Sequence, residues 1–180
     1  MSWRGRATAL GATMLLAACA VPPPAEPGAS ADVLSGRMVV RVDGTDSSAA
    51  RSLSAGFELR GGPAAGRLSL SSPLGSVLAQ ARWSPGSVVL ATPQGETTFP
   101  DLNALTREVL GESLPIAALF DWLHGRPWPD ASSTANVAPA EAGFEQLGWV
   151  VDLARFDEAW VVARRERAPV VTVRARMDRP

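Results

Sequence analysis

From Val33 onward, apolar and polar residues alternate along most of the chain, with a period of two. In SGRMVVRVDG, Met38, Val40 and Val42 share one face, and Arg37 and Arg41 share the other. In LSAGFELRGG, Leu53, Ala55, Phe57 and Leu59 oppose Ser54, Glu58 and Arg60. Leu68 and Leu70 alternate with serines. Val77, Ala79, Ala81 and Trp83 then stand against Gln80 and Arg82. This is the pattern of half-buried strands. Pro73-Leu74-Gly75, Ser84-Pro85-Gly86 and Pro93-Gln94-Gly95 supply the turns of an antiparallel meander. Strands return in GFEQLGWVVDLARF, with a hairpin at Leu147-Gly148, and in AWVVARR and PVVTVRARM.

Between the two strand-rich parts the period lengthens. Asp101 is placed to cap a helix in which Leu102, Leu105 and Val109 line up, and Gly111 ends it. Pro115 suits the first turn of a second helix. There Ile116, Leu119, Phe120 and Leu123 form one apolar face, and Gly125 and Pro127 stop it. Residues 130–142 are small and polar and read as a surface loop. The fold class is therefore mostly β with an α lid. About eleven strands form a sheet that curls, and two short helices cover its concave face. The small inward residues Ala55, Ala79 and Ala81 leave two outcomes open, a closely packed core or an apolar hollow.

The turn at Ser72 to Gly75 raises a separate question. Pro73 and Gly75 fit the second and fourth places of a type I turn, which puts Leu74 at its apex. A leucine there either packs on a neighbouring loop or stands in water.

The segment before Val33 has a different character. Arg4 and Arg6 precede an apolar run from Ala7 to Ala17 that is too short to span a bilayer. It ends in Leu16-Ala17-Ala18-Cys19, which closely resembles a bacterial lipobox. Small residues there admit a signal peptidase. The thiol can take a diacylglycerol thioether, and cleavage frees an amine that can be acylated as well. Residues 1–18 are thus expected to be a lipoprotein signal peptide, and Cys19 the lipidated N-terminus. Several acyl chains together hold a protein on a membrane where one is marginal. Alanine rather than aspartate at position 20 implies, by likeness to other lipoproteins, passage to the outer membrane. Residues 20–31 contain four prolines and favour an extended spacer of at most about 37 Å. The expected division is an acylated cysteine and linker over 19–31 and a single domain over 32–180.

Composition removes several kinds of chemistry. The 180 residues carry a net charge of −1, and all 17 basic residues are arginines. Removing the leader leaves 15 of them against 18 acidic residues. Nothing in this balance points to nucleic acid as a partner. One cysteine and one histidine, Cys19 and His124, exclude an internal disulfide and disfavour a zinc site. There is no phosphate-binding G-x-x-x-x-G-K-[ST] pattern and no lysine. Asp121 and His124 stand three apart on one helix, but no nucleophile elbow accompanies them. No catalytic residue, metal or cofactor is expected beyond the covalent lipid on Cys19.

A family resemblance rests on particular stretches: LAAC at 16–19, SGRMVVRV at 35–42, RLSLSSPLGS at 67–76, RWSPG at 82–86, TPQG at 92–95, LTREVLGESLPIAALFDWLHGRPWP at 105–129 and GFEQLGWVVDLARF at 143–156. Together they resemble the LolB family, the outer-membrane lipoprotein receptors of Gram-negative bacteria. Leu147 departs from the pattern, which would place a polar residue before the glycine. The resemblance implies a curved antiparallel half-barrel lidded by helices, with a hollow that binds lipoprotein acyl chains. It implies receipt of cargo lipoproteins from a soluble periplasmic carrier, LolA, and delivery into the outer membrane without nucleotide hydrolysis. The protein would be a monomer, anchored in the inner leaflet and facing the periplasm. On this chain the hollow would fall to Val40, Phe57, Leu59, Leu68, Leu70, Trp83, Leu105, Ile116, Leu119 and Phe120, and membrane insertion to Leu74. The alternative is an outer-membrane lipoprotein with a structural or other lipid-binding role.

Overall fold

The computed structural model describes residues 33–137 and 142–178. The signal segment, Cys19 and the proline-rich linker lie outside the described residues. Eleven strands, all antiparallel to their neighbours, make one sheet. They are β1 (Val33–Val42), β2 (Arg51–Gly61), β3 (Gly66–Ser71), β4 (Val77–Ser84), β5 (Ser87–Thr92), β6 (Gly95–Phe99), β7 (Ser133–Ala135), β8 (Gly143–Gln146), β9 (Trp149–Asp152), β10 (Trp160–Arg165) and β11 (Val171–Met177). The helices α1 (Leu102–Leu110) and α2 (Ile116–Leu123) fall between β6 and β7.

Spatial order is β6-β5-β4-β3-β2-β1-β11-β10-β9-β8-β7. Two meanders therefore meet at a central seam where β1 pairs with β11, from Gly36↔Met177 to Val42↔Val171. The outer strands β6 and β7 do not pair with each other, so the sheet stays open. This is the expected half-barrel layout with a helical lid. At the seam, a Cβ on Gly36 would stand 2.1 Å from the Arg176 carbonyl oxygen, and close strand approach requires glycine there.

Alternation sorts the two faces as read from sequence. Val40, Val42, Ala55, Phe57, Leu59, Ala81, Trp83, Val171, Val173 and Ala175 are buried. Arg37, Arg41, Arg60, Arg82, Arg174 and Arg176 are exposed on the outer face. The inner face meets the helices. Asp101 caps α1 by accepting the Ala104 N–H at 2.7 Å, a contact worth about 1 kcal/mol. Gly111 closes α1 in the left-handed region, φ 81°, with its N–H donating to the Arg107 carbonyl.

Three expectations change. Residues 133–135, read as loop, pair with β8 as a short edge strand. Val77, read as inward, is 60% exposed. A register shift places Val77 opposite Ser71 and Ala79 opposite Leu70, which leaves Leu78 as the extra residue of a bulge. The second helix is also not one-faced: Ala118 and Trp122 are fully buried along with Leu119, Phe120 and Leu123. Its Trp122 packs against Phe144 of β8 and Trp149 of β9.

Leu147 and Gly148 join β8 to β9 with φ 54° and 76°. Two positive φ values in a two-residue loop suit a type I′ turn, which matches strand twist. Leucine tolerates this conformation poorly, and its side chain is half in water, at 47% exposure.

Candidate functional site

Two features stand apart from the ordinary core, a crevice beneath the helices and the tip of the β3–β4 hairpin. Cross-strand rows build the sheet side of the crevice. Val173, Val40 and Leu53 form one row, and Leu59, Leu68 and Ala81 form another. Met38, Leu70 and Trp83 complete that wall. The helical side comes from Leu102, Leu105, Thr106, Val109 and Leu110 on α1, Leu114 in the connection, and Ile116, Leu119 and Leu123 on α2.

Thr106 is the only polar residue among these, and its hydroxyl is already engaged. It donates to the Asn103 carbonyl at 3.2 Å and accepts the Leu114 N–H at 3.1 Å. The lining therefore presents no free polar group to a guest, as a site for hydrocarbon requires. Trp83 is fixed in the wall by three contacts. Its indole N–H donates to the Gly62 carbonyl at 3.1 Å. Phe120 meets it edge-on at 5.7 Å. The backbone of Gly66 lies so close to the ring that a Cβ would fall 2.6 Å from it.

Of the ten residues expected around a hollow, Val40, Leu59, Leu68, Leu70, Trp83, Leu105, Ile116 and Leu119 line the crevice. Phe57 and Phe120 do not. Phe57 is buried in the adjoining core, and Phe120 spends its edge on Trp83. Met38, Leu53, Leu102, Val109 and Leu123 belong to the lining although they were not singled out. Their positions on the strand and helix stripes were the signal for them.

The space itself is small. The crevice holds about 90 Å³, the volume of about three liquid waters. Binding pockets for small molecules start at roughly 300 Å³. The aliphatic walls lie close together, and among the described residues they enclose less space than an acyl chain of ordinary length needs. Broader depressions on the outer face are lined by charged groups such as Asp152, Arg155 and Arg174, or Arg37, Glu158 and Asp178. They do not suit hydrocarbon.

At the hairpin tip the predicted turn is present in full. The Gly75 N–H donates to the Ser72 carbonyl at 2.9 Å, and the Ser72 N–H to the Ser76 carbonyl at 2.8 Å. The Ser76 N–H also reaches the Ser72 hydroxyl at 3.2 Å. Gly75 has φ 85°, the left-handed residue that completes a three-residue hairpin loop. These bonds fix the backbone, and Leu74 stands 94% exposed at the apex. Val77 and Leu78 are partly exposed just behind it. No charged residue occurs from Leu68 to Ala81. The flanking charges, Arg67 and Arg82, sit directly opposite each other at the base of this stretch.

The groups that hinted at acid–base chemistry are occupied elsewhere. The Asp121 carboxylate accepts the Arg126 Nε–H at 2.6 Å. His124 Nδ1 lies 2.7 Å from the Phe120 carbonyl oxygen. Among the described residues no cluster of three or more His, Cys, Asp or Glu could hold a metal. Arg60 donates to Glu58 and holds its carboxyl below the ordinary 4.5, on the outer face and away from the crevice.

Two long-range polar contacts were not visible in the sequence. Gln146 is 2% exposed, and its amide makes four hydrogen bonds. The oxygen accepts from Trp122 Nε1 and the Trp128 N–H, and the nitrogen donates to the carbonyls of Trp128 and Ala131. Arg165, 6% exposed, donates to Glu112 at 2.7 Å.

Comparison with known proteins agrees with this layout. The family model described as outer membrane lipoprotein LolB matches residues 33–175. An outer-membrane lipoprotein LolB of Bordetella petrii is 33% identical, covering 99% of this chain and 95% of its own length. The Bordetella pertussis protein of that name is 32% identical over 92% of this chain and 88% of its own. That of Chromobacterium violaceum is 32% identical over 83% and 82%.

Proposed function

The chain belongs to the LolB family of outer-membrane lipoproteins, and from that premise we propose that it accepts lipoproteins from a periplasmic carrier and inserts them into the outer membrane. Family membership makes it a lipoprotein-localisation factor of the outer membrane and not an enzyme. Among the described residues no helix is long and apolar enough to cross a membrane. Attachment would fall to the diacylglycerol and N-acyl groups on Cys19, with residues 20–31 as the spacer to the domain.

The observation that carries the proposal is the junction of two apolar features on one hairpin. Leu68, Leu70, Ala81 and Trp83 of β3 and β4 form part of the crevice wall, and the same two strands hold Leu74 out at their turn. A cargo acyl chain would occupy the crevice after its walls part, and Leu74 would enter the bilayer beside it. Burying one leucine is worth about 1.5–3 kcal/mol, enough to favour contact with lipid and too little to make that contact permanent. Movement without nucleotide needs only that each successive site bind the acyl chains better, about 1.4 kcal/mol per tenfold bias. The protein would act as a monomer.

The small crevice favours a second reading, an anchored scaffold whose interior is simply packed. Transfer of a labelled triacylated lipoprotein from its purified carrier to this protein, without nucleotide, separates the two. Saturable transfer supports the receptor. Cargo that stays on the carrier at every receptor concentration supports the scaffold.

A further inference from the structure

An acyl chain of ordinary length exceeds a crevice of about 90 Å³, so some wall must move for the proposed function to operate. The two helical walls are held very differently. The second helix is fixed through its C-terminal half: Trp122 donates to Gln146 and packs on Phe144 and Trp149, and the Phe156 ring covers Gly125. Most polar ties of α1 are local to its own turn, Asn103 to Ser113 and Thr106 to Leu114. They would travel with it. The polar contacts described between this unit and the sheet are two. Arg51 Nη1 donates to the Val109 carbonyl at a long 3.3 Å, and Arg165 Nη2 donates to Glu112 Oε2 at 2.7 Å.

The second contact is a buried ion pair, with side-chain exposures of 7% for Arg165 and 23% for Glu112. Arg165 also donates to the Pro169 carbonyl at 3.1 Å and lies 5.7 Å from the Trp149 ring centre. Its Nε–H is buried with no hydrogen-bond partner. A buried donor left unmade is costly and calls for an explanation. Parting of this side would open the donor to solvent. The pair ties Glu112, two residues beyond α1, to β10.

We propose that Glu112 and Arg165 latch a flap made of α1 and residues 111–115, and that release of this latch admits a long acyl chain. This rests on the acyl-binding reading above. Both are positioning residues, since neither lines the crevice.

The test compares fluorescent probes carrying a hexanoyl or a palmitoyl chain, by stopped-flow association with the purified full-length protein. Glu112→Gln should speed palmitoyl association about tenfold, the effect of roughly 1.4 kcal/mol, and leave hexanoyl association unchanged. Glu112→Asp, which keeps the charge, should restore slow entry. Equal changes for both probes, or none in a folded variant, would overturn the latch while leaving acyl binding intact. Failure of every form to bind palmitoyl would remove the acyl-binding reading and the latch with it. Amide hydrogen exchange of the unaltered protein gives a check that does not depend on a variant. The amides of α1 should exchange through a lower-energy opening than those of α2, and exchange of both helices as one unit would refute a separate flap.

Discussion

Beneath the C-terminal half of α2 the β8–β9 side of the sheet is filled by Trp122, Trp149 and Phe144, while beneath α1 and the start of α2 the β1–β4 side keeps a crevice walled mostly by aliphatic side chains, with Trp83 and Ala81 among them. Both sides use the same strand alternation and are covered by neighbouring helices. What differs is the shape of the side chains and their polar fastening. On the filled side, indole rings bury large areas in fixed orientations, and the Gln146 amide spends all four of its hydrogen bonds on tying Trp122 and residues 128–131 to β8. On the other side, mostly aliphatic chains and Trp83 line the crevice, and the described polar contacts from α1 and residues 111–115 to the sheet are those of Arg51 with the Val109 carbonyl and of Arg165 with Glu112. One side serves as a foundation, and the other has fewer polar ties to the sheet.

The sharpest way to break this contrast is at the foundation. Trp122→Ala should cost about 3–5 kcal/mol, read as a lower urea midpoint, with the fraction still folded binding an acyl probe as before. A loss of acyl affinity in that fraction would mean that the two sides are not separate. Next in size is the exposed tip. Leu74→Glu should leave stability within about 0.5 kcal/mol and remove a bilayer contact worth about 1.5–3 kcal/mol. Delivery of bound lipoprotein to liposomes should stop while acyl binding persists, as a flotation assay would report. Ala81→Leu extends a side chain into the crevice. It should weaken palmitoyl binding about tenfold, or 1.4 kcal/mol, and cost about 1–3 kcal/mol of stability. Calorimetry with and without probe measures both.

The smallest effect concerns the outer face. The carboxyl of Glu58 is held below its ordinary 4.5 by the hydrogen bond from Arg60. A lowered folded value means that this pair stabilises the fold above pH 4.5 and that its contribution fades as pH falls through the folded value. The pair is largely exposed, so Glu58→Gln should flatten acid unfolding curves by no more than a few tenths of a kcal/mol. A larger change would show that the outer face has more structural weight than its solvation suggests.

What could be read from the sequence was local. The Asp101 cap, the Gly111 stop and the Ser72–Gly75 turn depend on residues within a few positions of each other, and all three formed as expected. Strand faces were legible because burial follows a period of two. The bulge at Leu78 broke that rule, since a one-residue slip between β3 and β4 depends on the register of both strands and not on either alone. Gln146 and Arg165 carry no local sign of their roles: the partners described above lie 15–24 residues from Gln146 and, for Glu112, 53 residues from Arg165. The size of the crevice was equally hidden. It is set by how closely whole walls approach, and a list of inward residues does not specify that distance.

The central seam has a consequence for biogenesis. A polypeptide crossing the inner membrane from its N-terminus presents β1 early, yet β1 must wait for β11, roughly 130 residues later, to gain its second neighbour. The first meander, with its crevice-facing wall, would emerge with one flank of β1 bare. Such late, distant pairing slows folding and leaves a sticky strand available to other chains. A periplasmic holding factor that shields β1 until the C-terminus arrives would protect this protein during the interval in which it is most prone to aggregate.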